Sequence, residues 1–262
     1  MNALTLSHLL RALGGGESVT AFFLVLARVS PLFIIAPLFS AKQFPAQVRG
    51  IAAVGLSIGL AGVASHGQQI PTDALQVGTL MVEQVLVGII LSFTVSALMA
   101  AVQTAGGLVD IVSGMSFGAT VDPINGNPGG TFSDVYSLVG IMLFVAIGGD
   151  AWVLHGLART FDLVPLAQAP HLGPMVSAAE TSVSAMFVSA VEVAAPVMLA
   201  LLVTDVAFGM VSKVVPQMNV FSVAFPLKVG VAILMVSASL PFLGGWISDQ
   251  MYTSVATALH AL

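Results

Sequence analysis

The sequence predicts an all-α membrane protein with about six hydrophobic helical segments, several broken or kinked. A glycine-rich loop lies between the third and fourth, and a helical hairpin closes the chain. Three observations carry this reading. Charged residues are 7% of the 262, against about 25% in soluble domains, too few to cover a globule of this size with solvated groups. Apolar residues reach 57% before glycine is counted, already above the soluble range of about 45–50% that includes glycine. They also gather into runs near the ~20 residues that cross a bilayer as a helix. A soluble enzyme and a disordered chain are both excluded.

The first run, 19–39, is interrupted by Arg28, Pro31 and Pro37, and a polar turn over 41–50 follows it with Lys42 and Arg49. The second, 51–64, is short and glycine-rich, and 66–73, with Pro71, reads as a loop. The third, 74–105, would be roughly 48 Å long as one helix, longer than the ~30 Å hydrocarbon core. From 106 to 133 the pattern breaks into glycines with Pro123 and Pro128, a density of breakers that no regular helix is expected to survive. A fourth run covers 135–149, and 150–174, with Pro165, Pro170 and Pro174, reads as a mixed connector. The fifth, 175–211, carries Glu180, Glu192 and Asp205; after Pro216, Asn219 and Pro226 the sixth spans 229–247.

Basic residues orient such a chain because Lys and Arg are retained on the cytoplasmic side. Six crossings that start outside put Lys42, Arg49, Lys213 and Lys228 inside, leaving Arg11 and Arg159 outside. The net charge of −5 and the lack of any basic run argue against nucleic acid, whose phosphates demand clustered bases. The absence of cysteine excludes disulfides, iron–sulfur clusters and thiolate zinc sites. Residues 1–16 lack the basic and apolar regions of a signal peptide and are expected to be mature chain.

Arg28, Glu83, Glu192 and Asp205 lie in or near apolar runs, where an ionised group costs at least about 2.5–3.5 kcal/mol. One reading is a conduit, with these groups facing other subunits or an aqueous path; the other is that they snorkel to the interface. Gly55 and Gly59 form a G-x-x-x-G, and Ala53, Ser57 and Ala61 repeat the same spacing, which lets helices approach closely. In the stretch 106–123, bulky Met115 and Phe117 ride between Gly114 and Gly118. Such a segment could plug a pore, since hydrophobic constrictions gate by dewetting; it could equally be a re-entrant connector. Enzyme chemistry is missing: there is no phosphate-cradling glycine loop, no metal-spaced pair among the five histidines, and no nucleophile triad. Asp122, Asn125 and Asn127 read as turn formers rather than a calcium loop. No cofactor is expected.

Gly114-Met-Ser-Phe-Gly-Ala-Thr-Val-Asp-Pro123, the C-terminal block from Asp205 through Pro216-Gln-Met-Asn-Val-Phe221 to Phe225-Pro-Leu-Lys228, and the early Arg28-Val-Ser-Pro and Ala-Pro-Leu-Phe39 together resemble the FliR family of the flagellar type III export apparatus. The resemblance covers nearly the whole chain, and its wording is closer to the flagellar than to the virulence branch. It implies a non-enzymatic subunit of an export gate in the bacterial inner membrane, at the flagellar basal body, conducting unfolded polypeptide. The implied partners are several FliP and FliQ subunits and, on the cytoplasmic side, FlhB. The chain is expected to form one membrane-embedded domain (1–262), with a FliP-like part (1–174) and a FliQ-like hairpin (175–262). The plug is expected to involve Gly106, Gly107, Asp110, Gly114, Met115, Ser116, Phe117, Gly118, Asp122 and Pro123. The cytoplasmic hairpin tip would comprise Lys213, Pro216, Gln217, Phe221, Phe225, Pro226 and Lys228. A proton-coupled secondary transporter using Glu83, Glu192 and Asp205 as relay groups is the competing reading.

Overall fold

The computed structural model describes residues 15–36, 45–66, 68, 70, 71, 73–116, 130–217 and 219–262, with the side chains of 15–17, 220 and 221 outside the description. Seven helices are found among them: α1 Gly15–Ile35, α2 Ala46–Ala64, α3 Ala74–Ser113, α4 Thr131–Ala146, α5 Gly149–Leu163, α6 Leu172–Val214 and α7 Val220–His260. The described residues contain no strand. Five helices are long and apolar enough to cross a membrane, and the broken pair α4 and α5 makes a sixth candidate span. The chain is a membrane protein of all-α class, as its composition requires.

Three helices outrun their apolar runs. At 40, 43 and 41 residues, α3, α6 and α7 would each measure roughly 60–65 Å, about twice the hydrocarbon thickness. α3 continues through Gly106 and Gly107 to Ser113, where the sequence reading placed a break. α6 starts at Leu172, with Pro174 in its first turn, where a missing N–H is harmless. Pro31, Pro196, Pro226 and Pro241 all sit inside helices without ending them. The connector expected over 150–174 is helical up to Leu163. α4 and α5 are separated only by Ile147 and Gly148, and Gly148 has φ +72°, the left-handed region that lets a helix end abruptly.

The chain divides into two compact units. The first draws its described residues from the part up to Ser96, from Asp150–Thr181 and from Tyr252–Leu262; the second comprises Ala97–Gly149 and Ser182–Met251. Each unit draws on both sides of residue 174.

In the first unit, α1 contributes Leu24, Val25, Val29 and Leu32, α3 contributes Val87, Leu91 and Val95, and α5 contributes Val153 and Leu157, all buried. The start of α6 and the end of α7 join through Met175, Ala178 and Ala261, packed on Ile90. α3 lies so close to α1 at Gly88 that a Cβ there would collide with the Arg28 carbonyl oxygen. α2 packs on α1 and buries Ala53, Ser57 and Ala64. Gly55 and Gly59 face open space, so within this chain the alanine–serine face of α2 makes the contact.

Among the described residues Arg28 is the largest fully buried side chain, and none of them offers it a carboxylate partner. Nε donates to Gln84 Oε1 at 2.6 Å. Nη1 donates to the Thr160 carbonyl at 2.8 Å and its hydroxyl at 3.3 Å. Nη2 donates to the Val164 carbonyl at 2.7 Å and also to Gln84 Oε1. These five bonds match the five N–H donors of a guanidinium. Thr160 and Val164 close the C-terminus of α5, where the helix dipole favours a cation; the Thr160 carbonyl also accepts the Val164 N–H at 3.0 Å. The Phe161 ring lies 4.4 Å from Arg28 Cζ, adding a cation–π contact. Gln84 is held in turn by its Nε2 donating to the Leu166 carbonyl at 3.2 Å. Arg28 therefore ties α1, α3 and α5 together inside the first unit.

Candidate functional site

The second unit holds the two ends of the glycine-rich segment. α3 and α4 approach closely at Gly106, where a Cβ would lie 2.5 Å from the Phe132 carbonyl oxygen and 2.6 Å from Ser133 Cα. Only glycine allows this approach. Ser133 Oγ donates back to the Gln103 carbonyl at 3.3 Å. Gly107, one residue on, faces open space.

One turn further along α3 is Asp110, 2% exposed. Its Oδ1 accepts the Phe132 N–H and its Oδ2 accepts the Ser133 N–H, both at 2.9 Å. Those N–H groups belong to the first turn of α4, which has no intrahelical acceptor for them. The N-cap residue, Gly130, supplies no side-chain hydrogen bond of its own. Asp110 therefore caps α4 from another helix, with its charge on the positive end of the helix dipole. Gly130 is required beside it, because a Cβ at 130 would collide with the Asp110 carboxylate. The partners of Asp110 lie twenty-two and twenty-three residues away, and no local pattern announces them.

The exit from α3 is equally defined. Gly114 has φ +85° and its N–H donates to the Ile111 carbonyl at 3.3 Å, a left-handed helix end that favours glycine. Ser113 Oγ donates to the Asp110 carbonyl at 3.2 Å, and the Met115 N–H donates to Ser113 Oγ at 3.4 Å. The Ser116 N–H also reaches the Asp110 carbonyl at 3.3 Å. Asp110 thus holds both ends of the segment: its backbone the departing chain, its carboxylate the returning one. Phe117, Gly118, Asp122 and Pro123 lie outside the described residues.

The hairpin contributes to the same unit. The Phe225 ring stands beside Gly114, 3.6 Å from where a Cβ would be, so one expected plug residue meets one expected tip residue. Lys213, Pro216, Gln217 and Pro226 are exposed, and the Phe221 side chain lies outside the description. Lys228 is paired with Asp205, Nζ to Oδ1 at 2.9 Å and Oδ2 at 3.0 Å, the one ion pair among the described residues. Glu192 is exposed and Glu83 half-buried. The four charges singled out in sequence therefore have separate surroundings, and only Arg28 and Asp205 engage charged or hydrogen-bonding partners among the described residues.

Sequence comparison bears on what this arrangement belongs to. Residues 19–254 match the family model described as bacterial export proteins, family 1. The flagellar biosynthetic protein FliR of Escherichia coli K12 is 28% identical over 222 residues, 85% of each chain. FliR of Bacillus subtilis 168 is 30% identical over 223 residues, 82% of this chain and 84% of that one. The surface presentation of antigens protein SpaR of Shigella sonnei is 28% identical over 225 residues, 84% of this chain and 86% of that one. With nine-tenths of the sequence inside one family model, the chain belongs to bacterial export protein family 1, the family of the FliR proteins.

Proposed function

We propose that this membrane protein, a component of the flagellar type III export apparatus, helps form the channel for unfolded flagellar proteins and plugs it with the segment between α3 and α4. Asp110 carries the reading. A plug needs a firmly held base, and the Asp110 carboxylate and carbonyl together fasten both ends of the segment at one point. Met115, followed in sequence by Phe117, supplies apolar bulk that excludes hydrated ions. The protein does this without chemistry of its own.

The gate would be completed in the inner membrane, at the basal body, by FliP-like and FliQ-like subunits, with a FlhB-like component near the 213–228 tip. Residues 1–174 would correspond to the FliP-like part and 175–262 to the FliQ-like hairpin. The apolar surface of α6 supports a need for such neighbours: Leu199, Val203, Val206 and Met210 form one stripe, each about 60–70% exposed. The relay reading of a proton-coupled transporter draws no support from the family, and Asp205 is already engaged by Lys228.

The test is a deletion of residues 115–119, which spares Asp110, Gly114 and the first turn of α4. In cells expressing the chain with its partners, the complex should be recovered normally while ions leak across the membrane. A deletion complex that stays ion-tight would remove the plug assignment and leave the segment a connector.

A further inference from the structure

In the first unit, α5 and the last two turns of α7 enclose a cavity of about 480 Å3 that plays no part in the proposed gate. Trp152, His155, Arg159 and Asp162 line it from α5, at spacings of three, four and three residues that put them on one helical face. Tyr252 and His260, two turns apart, line it from α7. At its floor the two helices meet at Gly156, where a Cβ would come 3.0 Å from Val255 Cγ1. Across the cavity Trp152 and Tyr252 pack edge to face, centroids 6.1 Å apart at 84°.

Two features identify what the groove is made to hold. Arg159 and Asp162 lie three residues apart on the same face, exposed, yet pair neither with each other nor with another described residue; the one ion pair among those residues is Lys228–Asp205. Unpaired opposite charges about 5–6 Å apart at Cβ complement a ligand that carries its own opposite charges a short link apart. The groove also carries the Trp152–Tyr252 pair. Trp and Tyr each combine an apolar body with a polar edge, which suits them to a phospholipid's headgroup region.

We propose that this groove binds the headgroup of a zwitterionic phospholipid with a primary amine. The phosphate accepts from the Arg159 guanidinium and the His155 imidazole, the ammonium is taken by Asp162, and the Trp152–Tyr252 pair flanks the glycerol backbone. Phosphatidylglycerol offers the phosphate without the ammonium, and phosphatidylcholine offers a quaternary nitrogen that cannot donate a hydrogen bond. The groove therefore favours the primary amine over both.

The chain has two tryptophans, so Trp246→Phe leaves Trp152 as the only reporter. The full-length Trp246→Phe protein is reconstituted in phosphatidylcholine nanodiscs, and quenching of Trp152 is titrated with brominated phosphatidylethanolamine, phosphatidylglycerol or phosphatidylcholine. Phosphatidylethanolamine should bind about fivefold more tightly than either other lipid, the worth of roughly one interfacial charge contact. Asp162→Asn should remove its advantage over phosphatidylglycerol, Arg159→Gln should weaken phosphatidylethanolamine and phosphatidylglycerol alike, and Arg159→Lys should retain most of the preference. Circular dichroism should be unchanged in all three, since neither exposed side chain makes a contact whose loss would unfold the chain. Equal quenching by the three lipids, or a preference that survives both neutral variants, overturns the proposal. So does a phosphatidylglycerol preference that only Arg159→Gln abolishes, or displacement of the lipid by equimolar soluble phosphoethanolamine, which would make the ligand a free anion or a soluble headgroup.

Discussion

Arg28 and Asp110 answer the same problem with opposite charges: each ionised side chain is buried on the end of a helix that another segment leaves uncapped. Arg28 takes the carbonyls that close α5, and Asp110 takes the N–H groups that open α4. Replacing Arg28 by Leu leaves the Val164 carbonyl and Gln84 Oε1 without donors, at about 1–3 kcal/mol for each unsatisfied buried group, while the Thr160 carbonyl keeps the Val164 N–H. We expect a loss of at least ~2 kcal/mol in denaturant titrations of the detergent-solubilised chain, with Arg28→Lys intermediate because an ammonium lacks the planar fork. An Arg28→Leu protein as stable as its parent would show that the cluster is incidental. Asp110→Asn keeps one carbonyl acceptor and should retain one of the two α4 bonds, whereas Asp110→Ala loses both, about 1–2 kcal/mol by analogy with lost helix caps. If the carboxylate fastens the plug, Asp110→Ala should raise ion conductance in assembled gates more than Asp110→Asn does. Equal conductance from the two would detach the carboxylate from gating.

The helices extend beyond what local pattern predicts. Four prolines inside α1, α6 and α7 do not end them, because in a bundle the freed backbone groups find substitutes in neighbouring turns, hydroxyls or water. Glycine has the opposite meaning at different places along α3. Gly88 and Gly106 stay helical because another backbone presses against them, whereas Gly114 adopts φ +85° and stops the helix. A valine at 114 would meet left-handed strain of about 1–2 kcal/mol or more and crowd Phe225. We expect Gly114→Val to slow secretion of flagellar proteins without raising ion leak; normal secretion at normal protein level would show that this turn is dispensable. The stripe on α6 has its own consequence. Val203, 69% exposed, touches little within the chain, so Val203→Lys should leave the isolated chain folded yet abolish co-purification with the other gate subunits after mild detergent extraction. Undiminished recovery of those subunits would place the interface elsewhere.

For the whole molecule, the orientation read from Lys42, Arg49, Lys213 and Lys228 is testable because the chain has no native cysteine. Ser212→Cys, at the end of α6, should be protected from an impermeant maleimide added outside intact cells and labelled after permeabilisation; labelling from outside would invert the topology. Composition, hydropathy and motifs were enough for the membrane class, the all-helical class, about six candidate spans and the family, because composition and hydropathy are sums over long stretches that no single contact can reverse. The sequence also marked the glycine-rich segment, since a left-handed turn at Gly114 requires a residue without Cβ. Tertiary structure alone decided where the charges go. Arg28 is paired with residues 56 to 136 positions away and Asp110 with residues 22 and 23 positions away. Neither separation is a helical period, so no reading of one segment could distinguish a buried cap from a pore-lining charge. The continuation of α3 past Gly106 was decided in the same way, by packing against the α4 backbone, and the end of α5 by the Arg28 bonds that reach it, each outweighing a weak local preference against a helix.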